Sequence, residues 1–294
     1  MVNHWRIPLP EGDVLKLTAE KLGLALIGKP LIAAELRWPT VAGANLAGAT
    51  ATSATSYGKH ILIRFDDNRT LHTHLRMEGF WKIAQTGTPQ ARGSIAAKYS
   101  HKKKDSGANG GPLEIRAILV NENWTALGIA LGMLDLIPTA DEPKLLSHLG
   151  PDILDPNFKQ VGAFIGAQRL TNFNDWPICA ALLEQNTVAG IGTIWLAETL
   201  WTTKTYPWRK VSQMDDAERV ELLRTAANLI TRSVEIARVK GFSAVPRRAH
   251  GQHRNYCVRC QTPIQVSALS GPSGKPDQGS FDRIVFWCPK CQSA

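Results

Sequence analysis

No stretch of this chain approaches the ~18 to 20 unbroken apolar residues that a bilayer span requires. Met1–Leu9 contains no apolar block of signal-peptide length. These two absences point to a cytoplasmic protein. Cysteine is scarce: there are five, and an odd number in such a compartment argues against a disulfide framework. No internal repeat is visible, which excludes solenoid and propeller arrays. Acidic residues are also short, with 25 Asp and Glu against 34 Lys and Arg. The resulting charge of +9 reads as a polyanionic partner, nucleic acid before an anionic membrane, or equally as a merely solvated basic surface. The 294 residues, 44% of them hydrophobic, are ordinary globular material, enough for about two domains.

Hydrophobic spacing changes along the chain. Asp13 can cap a helix running to about Ile27, with Leu15, Ala19, Leu22 and Leu26 on one face and Gly28-Lys29-Pro30 as its stop. From there to about residue 125 the period is two. Ile61, Ile63 and Phe65 alternate with His60, Leu62 and Arg64, and Leu71, Thr73 and Leu75 alternate with His72, His74 and Arg76. Asp66-Asp67-Asn68 between them is turn material, and Ile115–Val120 predicts a further strand. This region reads as two packed sheets with helices at the edge. Residues 86–112, rich in Gly, Ser, Lys and Pro, read as a loop, and its Lys102-Lys103-Lys104 run as solvated surface or a phosphate contact.

After Pro151 the period becomes helical. Ala180–Glu184 and Ile191–Trp201 predict two helices joined by Gln185–Gly190. A long helix follows from Asp215, which forms a capping-box pair with Glu218. Val220, Leu223, Ala227, Ile230, Val234 and Ala237 form its buried stripe, and Gly241 ends it.

Chemistry is suggested at four places. Leu9-Pro10-Glu11-Gly12-Asp13 puts a proline before a carboxylate. An N-terminal proline carries a secondary amine able to form an iminium, and Glu11 could move its protons; the same dipeptide also simply starts a helix. Cys257-x-x-Cys260 and Cys288-x-x-Cys291 have the spacing of a structural tetrahedral Zn²⁺ site on a hairpin, with the Gly/Pro/Ser-rich stretch Gly271–Gly279 as a loop extension. This finger carries Arg254, Arg259, Arg283 and Lys290, suited to phosphate contact, while Cys179 reads as an inert buried thiol. Gly190-Ile191-Gly192-Thr193 opens a helix whose N-terminus can attract phosphate or, more plainly, forms a turn. Lys59 stands near a strand end, and His74–Gly79 ends a strand in an exposed turn whose Arg76 and Met77 can wedge into a base stack or merely close a hairpin.

Taken in order, these pieces resemble the formamidopyrimidine-DNA glycosylase / endonuclease VIII family, and its endonuclease VIII-like branch best. The carriers are PEGD at Pro10–Asp13, the lysine of GKHIL at Lys59, HLRMEG at His74–Gly79, GPDIL at Gly150–Leu154, LLEQNTVAGIGTIWLAE at Leu182–Glu198 and RIVFWCPKCQ at Arg283–Gln292. The resemblance implies a bifunctional DNA glycosylase/AP lyase that excises oxidised bases in base excision repair, through a proline Schiff base and β,δ-elimination. Pro10 would attack C1′, Glu11 would supply the proton for base loss, Lys59 would bind phosphate and move protons, and Arg283 would contact phosphate. Arg76 and Met77 would fill the gap left by a flipped nucleotide. Gly192, Thr193 and Arg254 would bind the DNA backbone, and Cys257, Cys260, Cys288 and Cys291 would hold structural zinc.

The implied fold is α+β and multidomain. Residues 1–9 form a leader, 10–145 a catalytic β-sandwich domain with flanking helices, 150–250 a helix–two-turn–helix DNA-binding domain and 251–294 a β-hairpin zinc finger. The expected partner is damaged DNA, duplex or single-stranded. No membrane is expected, and the chain would be a monomer in a bacterial cytoplasm, held at the nucleoid through DNA. Two positions depart from the family pattern. Nine residues precede Pro10, whose nitrogen is then a tertiary amide, so the expectation is that Leu9 marks the true start. A DNA-binding homologue without lyase chemistry is the alternative; an enzyme using Lys59 as its amine and a zinc-finger RNA binder stand behind it. The family's usual Gly-Ile-Gly-Asn also reads Gly-Ile-Gly-Thr here, at Thr193.

Overall fold

Period two governs most of the first half of the chain, and the helical period governs the second. The computed structural model describes residues 10–41, 43–89, 114–269 and 284–293. They divide into one unit holding Pro10 with Val14–Ser147, and another holding His148 onwards together with Glu11–Asp13.

Helix α1 (Gly12–Leu26) buries Leu15, Ala19, Leu22 and Leu26. Each fully buried leucine contributes roughly 1.5–3 kcal/mol, so packing rather than propensity holds this helix. Gly28, at φ 79°, ends it. Strands β1 (Ala33–Leu36), β2 (Ala51–Tyr57), β3 (His60–Phe65), β4 (Arg69–His74), β5 (Phe80–Gln85), β6 (Ile115–Val120), β7 (Trp124–Ile129) and β8 (Met133–Pro138) follow. They form two antiparallel four-stranded sheets, ordered β2-β3-β4-β8 and β1-β6-β7-β5. One apolar core joins them: Ile61, Ile63, Leu71 and Leu134 from the first, Leu36, Ala117, Leu119 and Ala126 from the second, and the leucines of α1. The expected β-sandwich with a flanking helix is what the chain builds.

The other face of the first sheet carries the alternate residues. Register sets His60 opposite His74, Leu62 opposite His72 and His72 opposite Asp135. This face is polar yet largely buried. Arg64 bonds Glu142, which opens the short α2 (Glu142–Leu146) and also accepts from the Thr70 hydroxyl at 2.6 Å.

The second unit is helical: α3 (Ala163–Leu170), α4 (Ile178–Ala181), α5 (Thr193–Thr203) and α6 (Asp216–Lys240), followed by β9 (Gln265–Ala268) paired antiparallel with β10 (Ile284–Trp287). Two helices differ from their expected bounds. α4 begins earlier than Ala180, directly after Pro177, and beyond Ala181 the chain continues in three-residue turns. α5 begins at Thr193 rather than Ile191 because Gly192 is extended, at φ −129° and ψ −165°. α6 carries the expected capping box: Glu218 N–H donates to Asp215 Oδ1 at 2.8 Å, and Asp215 N–H donates to Glu218 Oε2 at 3.0 Å. Its stripe from Val220 to Ala237 is buried, and Gly241 follows at φ 79°. Among the described residues no helix is long and apolar enough to cross a membrane.

Candidate functional site

An α-helix leaves its first four N–H groups without intrahelical acceptors. At the start of α5 three N–H groups are taken by a side chain from the far end of the sequence. Gly192 N–H donates to Glu11 Oε2 at 2.9 Å, Ile194 N–H to Oε1 at 2.7 Å and Trp195 N–H to Oε2 at 3.2 Å. Glu11 is 3% exposed. A helix N-terminus stabilises negative charge, so the carboxylate is well placed in energy as well as in space. The neighbouring residues share the anchorage: Gly12 N–H donates to Gly190 O at 2.9 Å, and Ser233 on α6 donates to Asp13 Oδ2 at 2.6 Å. A Cβ on Gly192 would stand 2.5 Å from Glu11 Oε1, so only glycine permits this approach. The Gly-Ile-Gly turn, read from sequence as a phosphate seat or a plain turn, thus seats a carboxylate of the same chain. Thr193 is half-buried at the first position of α5. Pro10, next to Glu11, is buried.

In the first unit Lys59 occupies the Gly58-Lys59 turn between β2 and β3. A histidine cluster stands beside it. His60 Nδ1 and His72 Nε2 are 2.8 Å apart, His72 Nδ1 and Asp135 Oδ2 are 3.1 Å apart, and the His60 and His74 rings meet edge to face at 5.0 Å. Burial pushes the His74 pKa down to about 4, and the charges of Lys59 and Arg76 push the same way. His74 is therefore neutral near pH 7, and its Nδ1 accepts the Arg76 N–H at 2.9 Å.

Arg76 sits at φ 53°, with its stem against Gly132, where a Cβ would meet it. Met77, 60% exposed, stands at the tip of the turn. The turn is not the hairpin end the sequence also allowed, since β4 and β5 lie in different sheets; a large apolar side chain on a tightly held connection of this kind has the shape of a wedge.

In the finger, Cys257, Cys260, Cys288 and Cys291 place their sulfurs within 4.8 Å of one another. The Cys257–Cys291 and Cys260–Cys288 separations are 3.9 and 3.4 Å. A tetrahedral site with metal–sulfur bonds of about 2.3 Å sets its sulfurs ~3.8 Å apart, so the four thiols fit a metal ion. Hydrogen bonding from Thr262 lowers Cys260 to about 6, whereas burial and the neighbouring thiols push Cys291 up to about 12. Four thiols this close cannot all ionise unless a cation joins them. Cys179 is fully buried and pushed up to about 12 by that burial, as an inert core thiol should be.

Arg254 is exposed at φ 69° in the approach to the first knuckle. Arg259, expected to face phosphate, is used otherwise: it lies 3.6 Å from the Trp201 ring centroid and donates to the carbonyls of Trp201 and Thr202 at the end of α5. Arg283, residues 1–9 and the Lys102–Lys104 run lie outside the described residues. Sequence reasoning missed four participants. His60, His72 and Asp135 form a cluster across three strands, legible only once the register is known. Glu198 is another omission: it is 3% exposed and accepts N–H bonds from Arg248, Ala249 and His250, fixing the entry to the finger.

Residues 9–106 match the model of the formamidopyrimidine-DNA glycosylase N-terminal domain, and residues 149–242 that of the formamidopyrimidine-DNA glycosylase H2TH domain. The chain is 32% identical over 292 residues to a probable endonuclease 8 2 of Streptomyces coelicolor, covering 97% of this chain and 94% of that one. It is 30% identical over 288 residues to a DNA-(apurinic or apyrimidinic site) lyase Nei2 of Mycolicibacterium smegmatis, covering 97% and 100%. The fold is similar to that of Lactococcus lactis formamidopyrimidine DNA glycosylase bound to DNA containing an AP site, with a TM-score of 0.75 at 20% identity over 97% of this chain and 100% of that one.

Proposed function

Because the chain belongs to the formamidopyrimidine-DNA glycosylase / endonuclease VIII family, we propose that it is a bifunctional DNA glycosylase and AP lyase acting on damaged DNA in base excision repair. The observation that carries this reading is the anchorage of Glu11. A carboxylate held by three backbone N–H groups stands one peptide bond from a proline nitrogen. In the proposed reaction that nitrogen, freed by a start at Pro10, attacks C1′ of a flipped-out nucleotide, and the base leaves with a proton passed through Glu11. The open sugar then remains bound to Pro10 as an iminium. Support for a start at Pro10 is that the N-terminal family match opens at residue 9.

Lys59 binds phosphate and moves protons during β-elimination, and Arg283 holds the phosphate for δ-elimination. Arg76 and Met77 fill the vacated space in the duplex, and Gly192, Thr193 and Arg254 lie along the DNA backbone. Cys257, Cys260, Cys288 and Cys291 hold a structural Zn²⁺, which supplies folding energy to the finger rather than chemistry. The working division is 10–145 for catalysis, 150–250 for DNA binding and 251–294 for the finger. The protein acts as a monomer in a bacterial cytoplasm, at the nucleoid.

Borohydride trapping on DNA with a preformed abasic site tests the reading. A chain beginning at Pro10 gives a covalent adduct that Pro10→Gly abolishes. An adduct lost only in Lys59→Ala moves the nucleophile to the lysine. No adduct from either the full chain or the Pro10 start leaves a DNA-binding homologue without lyase chemistry.

A further inference from the structure

The core of the finger is shared with α5. Ala197 and Trp201 of that helix pack with Ala249, Ile264, Phe286, Cys257 and Cys288 in one buried cluster. Trp201, in the last turn of α5, is 7% exposed, and Cys257 is fully buried. The Trp201 Nε1–H donates to Cys257 Sγ at 3.4 Å. A buried indole does not always find an acceptor in this chain: among the described residues Trp195 and Trp287 bury the same atom without one. The choice of sulfur is therefore informative. A neutral thiol accepts weakly, whereas a thiolate accepts a charge-assisted bond.

The ring is held where it is. Arg259 stands between the two cysteines of the first knuckle, and its guanidinium carbon lies 3.6 Å from the Trp201 ring centroid. The same guanidinium donates to Trp201 O at 2.5 Å and to Thr202 O at 3.2 Å, where a helix end leaves carbonyls without N–H partners. One side chain thus clamps the face of the indole and the end of its helix together. The second knuckle is tied to the same segment. Cys288 N–H donates to Gln292 Oε1 at 2.8 Å, and Gln292 Nε2 donates to Thr205 O at 3.1 Å. Four thiolates around one divalent cation keep a net negative charge. A donor aimed at a ligand sulfur, with a cation stacked on that donor, favours the loaded site.

We propose that Trp201 is a positioning residue for the metal, its indole N–H fixing the Cys257 thiolate as a ligand, and that Arg259 holds the ring in that orientation. This rests on the zinc reading above.

The test compares the wild type with Trp201→Phe, which keeps an aromatic ring beside Arg259 but has no N–H. Zinc affinity is read by competition with a chromogenic chelator. The Co²⁺-loaded proteins are compared by their sulfur-to-cobalt charge-transfer bands. Trp201→Phe weakens zinc binding roughly tenfold to a hundredfold. It also moves those bands to longer wavelength, because a sulfur relieved of its hydrogen bond gives up charge more readily. Arg259→Gln weakens zinc in the same direction and by less; wild-type affinity there overturns the part given to Arg259. Wild-type affinity in Trp201→Phe overturns the proposal, and so does weaker zinc with unmoved bands, which reduces Trp201 to packing. A wild type that takes up no zinc overturns the zinc reading and the proposal with it. A measurement on the wild type alone covers a variant that fails to fold. Loaded with an NMR-active cadmium isotope, the protein shows coupling between the Trp201 indole proton and the metal through Cys257 Sγ, and absence of that coupling overturns the proposal.

Discussion

Glu11 and Gly192, 181 residues apart, are fitted to one another: the carboxylate fills the space that any other side chain at 192 would need. Gly192→Ala expels the carboxylate and strips acceptors from three buried N–H groups. The expected loss is about 2 to 4 kcal/mol of stability, read from denaturant midpoints, with loss of base excision. Glu11→Gln keeps the shape and one accepting oxygen. It is expected to remove excision of a damaged base but leave trapping on a preformed abasic site, because in the proposed reaction only the first step needs a proton passed through Glu11. A Gly192→Ala protein of wild-type stability would mean that the carboxylate is not seated there.

Thr193 replaces the asparagine that the family signature usually carries. A hydroxyl is shorter than an amide and has no NH₂ donor. Thr193→Asn is expected to tighten binding to abasic-site duplex by about threefold to tenfold, the effect of roughly one added hydrogen bond. Fluorescence anisotropy measures it; unchanged or weaker binding counts against the placement of Thr193 on the DNA backbone.

The four finger thiols predict one zinc per chain by elemental analysis. Removal by a strong chelator, or Cys260→Ser, is expected to unfold the finger and weaken DNA binding while leaving the helical signal of α5 and α6 largely intact. The hairpin β9–β10 has only two strands of four residues each, too few to stand without the metal. A finger that keeps its hydrogen-exchange protection after chelation contradicts this.

Two half-buried histidines set a pH dependence. Burial lowers both His74 and His250 from 6.5 to about 4, with Lys59 and Arg76 adding to the effect at His74 and Arg247 at His250. Their folded values lie below the unfolded one, so the unfolded chain binds more protons between those values. Stability is therefore full above about pH 6.5 and falls as the pH drops toward about 4. Denaturant midpoints at pH 7 and pH 5 should differ in that sense, and the difference should shrink in a His74→Gln, His250→Gln protein. Equal midpoints in the wild type would show that these rings charge freely.

Local signals carried much of the fold. The leucine spacing of α1, the alternation of β3 and β4, the box at Asp215 and Glu218 and the two CxxC pairs each lie within a few residues of sequence. Strand β2, Ala-Thr-Ser-Ala-Thr-Ser-Tyr, has no apolar alternation, because its neighbour β3 supplies the core side chains; only pairing makes it a strand. The start of α5 lies two residues beyond the Ile191 that its spacing predicts, because the extended Gly192 answers to Glu11 and not to its own neighbours in sequence. Arg259 reads from charge alone as suited to phosphate, while its guanidinium serves the carbonyls at the end of α5. The cluster of His60, His72 and Asp135 depends on strand register, which no local pattern encodes.

Glu11, Gly12 and Asp13 group with the helical half of the molecule although they are made long before it. On a ribosome these residues emerge long before Gly190, Trp195 and Ser233, and their bonds close only once those partners have been made. This segment is thus among the last to reach its final place, and an unfinished chain holds it unanchored until the helices that brace it have been synthesised.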